Sequence, residues 1–104
     1  MSKFQTFLSK KLSKNNISKS KFATKIGVTS MYVWQLANGS KPPPDRGLQI
    51  KIAEELNLNK EEKEKFYDNT AKEKNDIPAD IYEQILNNPK EWNEIRKTLE
   101  RKIK

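Results

Sequence analysis

Two short helical patterns lie between residues 17 and 39 and are joined by a short turn. Ser18 is a good N-cap for the first pattern, and Thr29 can cap the second. Gly27 supplies the left-handed backbone that a tight helix exit needs, and Gly39 ends the second helix. The apolar residues of each pattern share one helical face: Phe22, Ala23 and Ile26 in the first, Val33 and Leu36 in the second. Helices this short and this tightly joined must cross steeply.

This arrangement predicts the helix-turn-helix of DNA-binding proteins, and the distribution of charge agrees with it. Residues 1–58 contain ten basic and three acidic side chains, whereas residues 59–104 contain eleven of each. The whole excess charge of +7 therefore lies in the half that carries the two short helices. A lysine-rich face can be merely solvated, but its coincidence with the motif favours a polyanionic partner, which we expect to be nucleic acid.

The composition argues against several other classes of protein. The chain has no cysteine and no histidine, so disulfides, the usual zinc ligands and the usual pairs of nucleophile and base are missing. Its three glycines are isolated, which argues against a glycine-rich phosphate loop. No apolar stretch is long enough for a membrane span, and the N-terminus lacks the apolar run of a secretory signal. We expect a cytoplasmic protein that is not an enzyme and uses no metal or cofactor.

Seven helices and no strands are predicted, so the expected fold class is all-α. They are placed at about residues 2–15, 19–26, 30–38 and 46–56, and then after Asn59, Pro78 and Asn88. Asp45 follows three prolines as a cap for the fourth helix. Asn59 and Glu62 have the spacing of a capping box. Asn88, followed by Pro89, has the pattern of a cap that starts the last helix.

The segment 71–76 loses helical periodicity and is predicted to be a linker. It divides the chain into a DNA-binding domain at residues 1–72 and a two-helix C-terminal extension at residues 73–104. The apolar residues of this extension form two stripes, Ile81 with Ile85, and Trp92 with Ile95, Leu99 and Ile103. Such stripes either complete the core of the monomer or form a surface for a second copy or a protein partner. The spacing alone leaves both alternatives open.

Residues 4–58 resemble the lambda-repressor-like family, also called the XRE or Cro/repressor type of helix-turn-helix. The positions that match in residue type and spacing are Ile17, Phe22-Ala23, Ile26-Gly27-Val28-Thr29, Val33, Leu36, Asn38-Gly39, Pro43 or Pro44, Ile52-Ala53 and Leu56. The resemblance implies a bundle of four or five helices whose third helix enters the major groove. Leu12 and Ala37 depart from the pattern, because the family often has an Arg–Glu pair there. Their joint presence is consistent with an apolar substitute for a buried ion pair.

The resemblance also implies a set of DNA contacts. It places base contacts at Ser30, Met31, Tyr32 and Gln35, and contacts to the DNA backbone at Lys19, Thr29, Asn38 and Lys41. Gln35 is the best candidate for a specific contact, because its amide can bond bidentately to adenine. Trp34 lies on the outer side of the same helix, where polar residues are common. It is either a DNA or partner contact or packs against residues 41–44, and we favour packing.

These features predict a sequence-specific transcription regulator that binds double-stranded DNA, as a repressor of phage or mobile-element origin. One short helix covers few base pairs, so we expect a homodimer on an inverted-repeat operator. The C-terminal extension is the expected dimer surface, with a contact after Leu56 as the alternative. A second class of function stays open, an antitoxin or inhibitor that mainly binds a protein partner through its C-terminal helices, with autoregulatory DNA binding.

Overall fold

The computed structural model describes residues 2–103, with the backbone alone described for Ile103. Its α-helices are α1 (Lys3–Lys14), α2 (Lys19–Ile26), α3 (Ser30–Asn38), α4 (Arg46–Glu55), α5 (Lys60–Lys74), α6 (Ala79–Asn87) and α7 (Trp92–Ile103). A 3₁₀ turn, Pro89–Glu91, precedes α7. No strand occurs among the described residues, so the predicted all-α class is confirmed. None of these helices is long and apolar enough to cross a lipid bilayer.

Side-chain caps begin four helices at the residues that the sequence predicted. Ser18, Thr29 and Asp45 each accept a hydrogen bond from the backbone N–H three residues later, at 3.3, 3.1 and 2.9 Å. Asn59 accepts from the Glu62 N–H at 2.8 Å, and the Glu62 carboxylate accepts from the Asn59 N–H at 3.0 Å, which is the predicted capping box. Because each bond satisfies a backbone N–H that has no partner within its helix, these helix starts are encoded locally.

The glycines that end α2 and α3 both have left-handed backbones, with φ of +80° at Gly27 and +83° at Gly39. The Val28 N–H bonds to the Ala23 carbonyl at 2.9 Å, which completes a Schellman-type exit from α2. A Cβ at Gly39 would also lie 2.7 Å from the side-chain oxygen of Gln5 on α1, which is the end of a flexible side chain and can move aside. The two turns that flank α3 therefore depend on glycine.

One apolar core lies between α1, α2, α3, α4 and α5. Its buried residues include Phe4, Leu8, Leu12, Phe22, Ala23, Ile26, Val33, Leu36, Ile52, Ala53, Leu56, Leu58, Phe66 and Tyr67. The Phe66 ring lies 5.8 Å from that of Phe4, 5.3 Å from that of Phe7 and 5.5 Å from that of Tyr67, which are favourable aromatic distances. Burial, with a smaller effect from nearby carboxylates, raises the pKa of Tyr67 to about 12, so this phenol stays neutral inside the core.

The predicted linker at residues 71–76 is wrong, because α5 continues to Lys74. Ala71 is buried on this helix, and Asn75 ends it with a left-handed backbone of φ +54°. The last turn is held by contacts with distant residues, since the Glu73 carboxylate accepts from the Phe4 N–H and the Lys74 ammonium donates to the Pro43 carbonyl. A local periodicity could not show these contacts. The predicted domain boundary after residue 72 falls inside this helix.

The start of the last helix also differs from the prediction. Asn88 makes no side-chain cap for the segment that follows it. Its amide instead donates to the Gln84 carbonyl at 2.6 Å, and residues Pro89–Glu91 form the 3₁₀ turn before α7 begins. Asn88 therefore satisfies a carbonyl in the last turn of α6, where helix carbonyls lack partners of their own.

Two contacts from α5 hold α1 in place. Lys11 on α1 pairs with Glu62 at 2.5 Å between the charged atoms. The Phe4 N–H donates to the Glu73 carboxylate at 2.9 Å. The first turn of α1 has no acidic residue of its own, so Glu73 supplies the negative charge that stabilises the N-terminus of a helix.

Arg46, at the start of α4, connects the N-terminal half of the chain to α6. Its guanidinium donates to the Asp76 carboxylate, and its central carbon lies 3.6 Å from the centre of the Tyr82 ring. Nearby, the Lys74 ammonium on α5 donates to the Pro43 carbonyl at 3.0 Å. The proline-rich loop between α3 and α4 is therefore held at its far end by side chains from α5 and α6.

The stripe on α7 lies at the surface of the protein. Trp92 and Leu99 are 43% and 56% exposed, and Ile95 is half-buried. The side chain of Ile103 lies outside the described residues. The Trp92 indole N–H donates to the Ile85 carbonyl on α6, which fixes α7 beside that helix. The stripe therefore does not complete the core of the monomer, because most of its apolar surface is exposed to solvent.

The contact between Lys11 and Glu62 generates a pH-dependent prediction. The hydrogen bond from Lys11, followed by that from the Asn59 N–H, holds the pKa of Glu62 below its ordinary value. Its stabilising effect is therefore complete above the ordinary carboxyl pKa and is lost as the pH falls through the lowered one. Glu62→Gln keeps the acceptor of the capping box and removes the charge, so it should lower the free energy of unfolding at neutral pH.

Urea denaturation across an acid titration measures this effect. The difference between the original chain and Glu62→Gln should shrink as the pH falls and vanish below the lowered pKa. Glu61→Gln is the matched control, because Glu61 lies in the same first turn and joins none of the ion pairs within residues 2–103. A difference for Glu62→Gln that stays constant with pH would contradict the assignment.

Candidate nucleic-acid interface

α3 packs its apolar side into the core and presents its other side to solvent. Val33 and Leu36 are buried, as is Ala23 on the neighbouring face of α2. The exposed residues of α3 are Ser30, Met31, Trp34 and Asn38. The helical repeat places Ser30, Trp34 and Asn38 along one line at steps of four, with Met31 and Gln35 along the next. The structure therefore brings the predicted contact residues of α3 onto one outer surface.

The four residues predicted to contact bases differ in accessibility. Met31 is 62% exposed, and Ser30 is exposed as well. Gln35 and Tyr32 are half-buried, and the Tyr32 ring packs against the core. Burial, followed by the negative charge of Asp45, raises the pKa of the Tyr32 hydroxyl, so it remains a neutral phenol. Met31 and Ser30 are thus the most accessible of the four, and Tyr32 offers only part of its ring.

The four residues predicted to contact the DNA backbone are all exposed, and two already make local hydrogen bonds. Thr29 Oγ1 accepts from the Tyr32 N–H at 3.1 Å, and Asn38 Oδ1 accepts from the Ser40 N–H at 2.8 Å. Both bonds use a side-chain oxygen as acceptor. They leave the Thr29 hydroxyl proton and the Asn38 NH₂ group as donors. Both groups can therefore donate a hydrogen bond to an anionic oxygen.

An open cleft of about 400 Å³ lies between the second half of α1, the start of α2 and the end of α3. Its lining combines polar and apolar groups: Ser9, Leu12, Ser13, Asn16, Ile17, Lys19, Trp34, Ala37 and Asn38. Lys19 and Asn38, two of the predicted backbone contacts, therefore share one cleft, whereas Thr29 and Lys41 lie outside its lining. No carboxylate is among the lining residues.

Trp34 lines this cleft with α1 and α2 and remains 52% exposed. None of residues 41–44 lines this cleft, and packing of Trp34 against them stays a prediction. The exposed half of the indole is open to a further contact.

The charge on this surface is positive and only partly compensated. Lys11 and Lys25 pair with Glu62 and Glu55 on later helices, at 2.5 and 3.4 Å. The exposed lysines that join none of the ion pairs within residues 2–103 include Lys19, Lys21 and Lys41. Because residues 1–44 contain no acidic residue, no carboxylate from that segment offsets these charges. The surface therefore favours a polyanion.

The sequence did not identify the part of this surface that α1 contributes. Ser9 and Ser13 lie four residues apart on α1, and Asn16 lies in the turn that follows this helix; all three line the cleft. Ser9 also donates to the Ala37 carbonyl at 2.7 Å, beside the buried Leu12. This bond joins α1 and α3. A polar stripe at helical spacing was the signal that could have indicated this role.

Comparisons with models of protein families, with curated proteins and with solved structures found no match.

The cap at Thr29 generates a prediction about stability. Its side chain caps α3, and replacing a threonine cap with alanine costs about 1 kcal/mol. Thr29→Ala should therefore lower the free energy of unfolding by about that amount in a urea titration. Thr29→Ser keeps the hydroxyl and should retain most of the stability. Equal stability of the alanine variant and the original chain would show that the cap is not needed.

Proposed function

We propose that this chain is a sequence-specific transcription regulator that binds double-stranded DNA, acting as a repressor of phage or mobile-element origin. In this proposal α3 enters the major groove and α2 lies across the DNA backbone, as in the lambda-repressor-like family that residues 4–58 resemble. The fold class and the exposed outer side of α3 are compatible with this role. The family assignment itself remains part of the proposal.

The observation that carries the proposal is the chemistry of the surface around α3. Lys19, Asn38 and Lys41 are exposed, and Thr29 and Asn38 keep donors after making their local hydrogen bonds. Hydrogen-bond donors and lysines account for most protein contacts to phosphate, and residues 1–44 supply no carboxylate to repel it. The combination fits the sugar–phosphate backbone of DNA better than a neutral or cationic partner.

Sequence preference would come from the line of Met31 and Gln35 on α3. The amide of Gln35 has the donor and acceptor that pair with adenine in the major groove, and Met31 offers an apolar contact for a thymine methyl group. Ser30 can bond to several bases and adds less discrimination. In this proposal the line of Met31 and Gln35 sets the sequence preference, and the residues on either side of that line supply affinity.

We further propose that two copies act together on an inverted repeat, because one short helix covers too few base pairs to define a site in a genome. The exposed apolar residues at the C-terminal end of the chain are Ile77, Ile81, Leu86, Trp92 and Leu99. The charge of residues 59–104 sums to zero, with eleven residues of each sign. A face of this composition can meet its own copy without net repulsion.

The same exposed face supports the second candidate function. An antitoxin or inhibitor would use the apolar residues of α6 and α7 to bind a different protein, and its DNA binding would serve autoregulation. The groove beside Ile81, Ile85 and Ile95 measures about 440 Å³ and has room for side chains of a partner. The oligomeric state of the chain on DNA distinguishes this candidate from the homodimer.

Binding to duplex DNA should depend steeply on salt. Each phosphate contact releases counterions, so the logarithm of affinity should fall by about 0.9 per contact for each tenfold rise in salt. Lys19→Ala should reduce the magnitude of this slope by about 0.9, the contribution of one contact, and weaken binding to every sequence alike. Fluorescence anisotropy of labelled duplexes at several salt concentrations measures both effects. A flat dependence on salt would contradict DNA binding by this surface.

Gln35→Ala is the matched comparison for Lys19→Ala. It should leave the salt slope unchanged and cost about 1–3 kcal/mol on the preferred site, which is first selected from a random pool. On random DNA its effect should be small. If Gln35→Ala weakens specific and random binding equally, Gln35 contacts the backbone and the division between specificity and affinity is wrong.

Sedimentation of the free protein and of a saturated complex tests the homodimer. We expect two protomers per specific site and two-fold symmetry in the selected DNA. Leu99→Asp should shift the free protein towards monomer, because it puts a charge into the exposed stripe. Asn93→Asp is the control, because it adds the same charge to α7 outside that stripe and should leave the oligomeric state unchanged. One protomer per site on asymmetric DNA would contradict the homodimer and favour the antitoxin or inhibitor.

A further inference from the structure

Trp34 is a large aromatic side chain left half in solvent on the surface that carries the predicted DNA contacts. It is 52% exposed, and the cleft that it lines also contains Lys19 and Asn38. Tryptophan is costly to leave in water and is enriched where proteins meet their partners. The proposed base and phosphate contacts include its neighbours on α3, Ser30 and Asn38, but leave the indole itself without a role.

The lining of the cleft indicates the chemistry of its occupant. Lys19 supplies a positive charge, and Ser13, Asn16 and Asn38 supply hydrogen-bond donors, with no carboxylate among the lining residues. The indole adds an apolar face and one N–H donor. An occupant that matches this lining is anionic on one side and apolar on the other. A phosphodiester joined to a deoxyribose has both properties, because the sugar ring presents carbon and hydrogen beside the charged oxygens.

The position of Trp34 on α3 agrees with this occupant. Trp34 follows Ser30 and precedes Asn38 at steps of four, whereas Met31 and Gln35 occupy the neighbouring line. If Met31 and Gln35 face the bases, the line of Trp34 faces the wall of the groove, where one strand of the backbone runs. Asn38 on the same line and Lys19 across the cleft are the proposed contacts to that strand.

We propose that Trp34 is a contact to the DNA backbone, whose indole packs against the deoxyribose next to the phosphate held by Lys19 and Asn38. This inference rests on the proposed DNA binding and adds a contact that the family resemblance does not assign. The contact removes apolar surface from water and releases no counterion. It therefore raises affinity for every sequence without contributing to the salt dependence, which separates it from the lysine contacts.

Fluorescence tests the proximity of the indole to DNA directly. The chain has two tryptophans, so Trp92→Phe leaves Trp34 as the only one. The accessibility of Trp34 to acrylamide should fall to that of a buried indole when unlabelled duplex saturates the protein. Trp34→Phe is the matched control, measured where sedimentation shows the same oligomeric state with and without duplex, so that its remaining Trp92 should stay as accessible as in the free protein. Anisotropy of a labelled duplex, measured on the same variants, reports binding independently.

Affinity measurements test the contribution of the contact. Trp34→Ala should lower affinity about tenfold on selected and random duplexes alike, because it removes apolar surface that the contact buries, and its salt slope should equal that of the original chain. Trp34→Phe keeps an aromatic face and should stay within about threefold of the original affinity. Circular dichroism checks that both variants keep their helical content, as expected for a half-exposed side chain.

The outcomes separate this inference from the function on which it rests. If labelled duplex binds but Trp34 stays accessible to acrylamide, DNA binding stands and the indole contact is overturned. If Trp34→Ala instead reduces the salt slope, the residue acts through a charged neighbour and the apolar contact is overturned. If Trp34 becomes shielded with rising protein concentration in the absence of DNA, the indole meets protein and the inference fails. If no duplex binds, the proposed function and this inference fail together.

Discussion

The left-handed turn at Gly27 is the constraint on which the rest of the structure depends. It ends α2 abruptly, and the bond from the Val28 N–H to the Ala23 carbonyl closes the exit so that α3 starts at once. α3 must then pack back against α2, and the small Ala23 allows this close approach. Because one side of α3 is thereby buried, its other side is presented to solvent as a single surface. The candidate interface is therefore a geometric consequence of a glycine turn.

The C-terminal half contributes to that surface from a distance. Arg46 contacts Asp76 and Tyr82, and Lys74 donates to the Pro43 carbonyl, so the loop after α3 is held by groups from α5 and α6. Partial exposure of Arg46 and Asp76 reduces what their contact contributes to stability. These contacts join the charge-neutral half of the chain to the basic half. They connect α6 to the start of α4, and the end of α5 to the loop beside α3.

Much of the candidate interface could be predicted from the sequence, because the properties involved are local. The caps at Ser18 and Thr29 follow from residue type and position, and so does the exposure of Met31 at helical spacing. The polar residues of α1 could not be assigned in the same way. Ser13 becomes part of the cleft only because α1 crosses α3 there, and no local pattern specifies which helix will lie opposite.

The sequence by itself determined the all-α class, the starts of α2 to α5 and the separation of charge, since capping, glycine conformations and composition act within a few residues. Only the tertiary structure decided how far α5 extends, because Glu73 and Lys74 in its last turn bond to Phe4 and Pro43, which are distant in the chain. It also decided that Trp34 faces a cleft and that the stripe of Trp92 and Leu99 remains open. An amphipathic pattern shows that a helix has an apolar face, but what covers that face depends on elements distant in the chain.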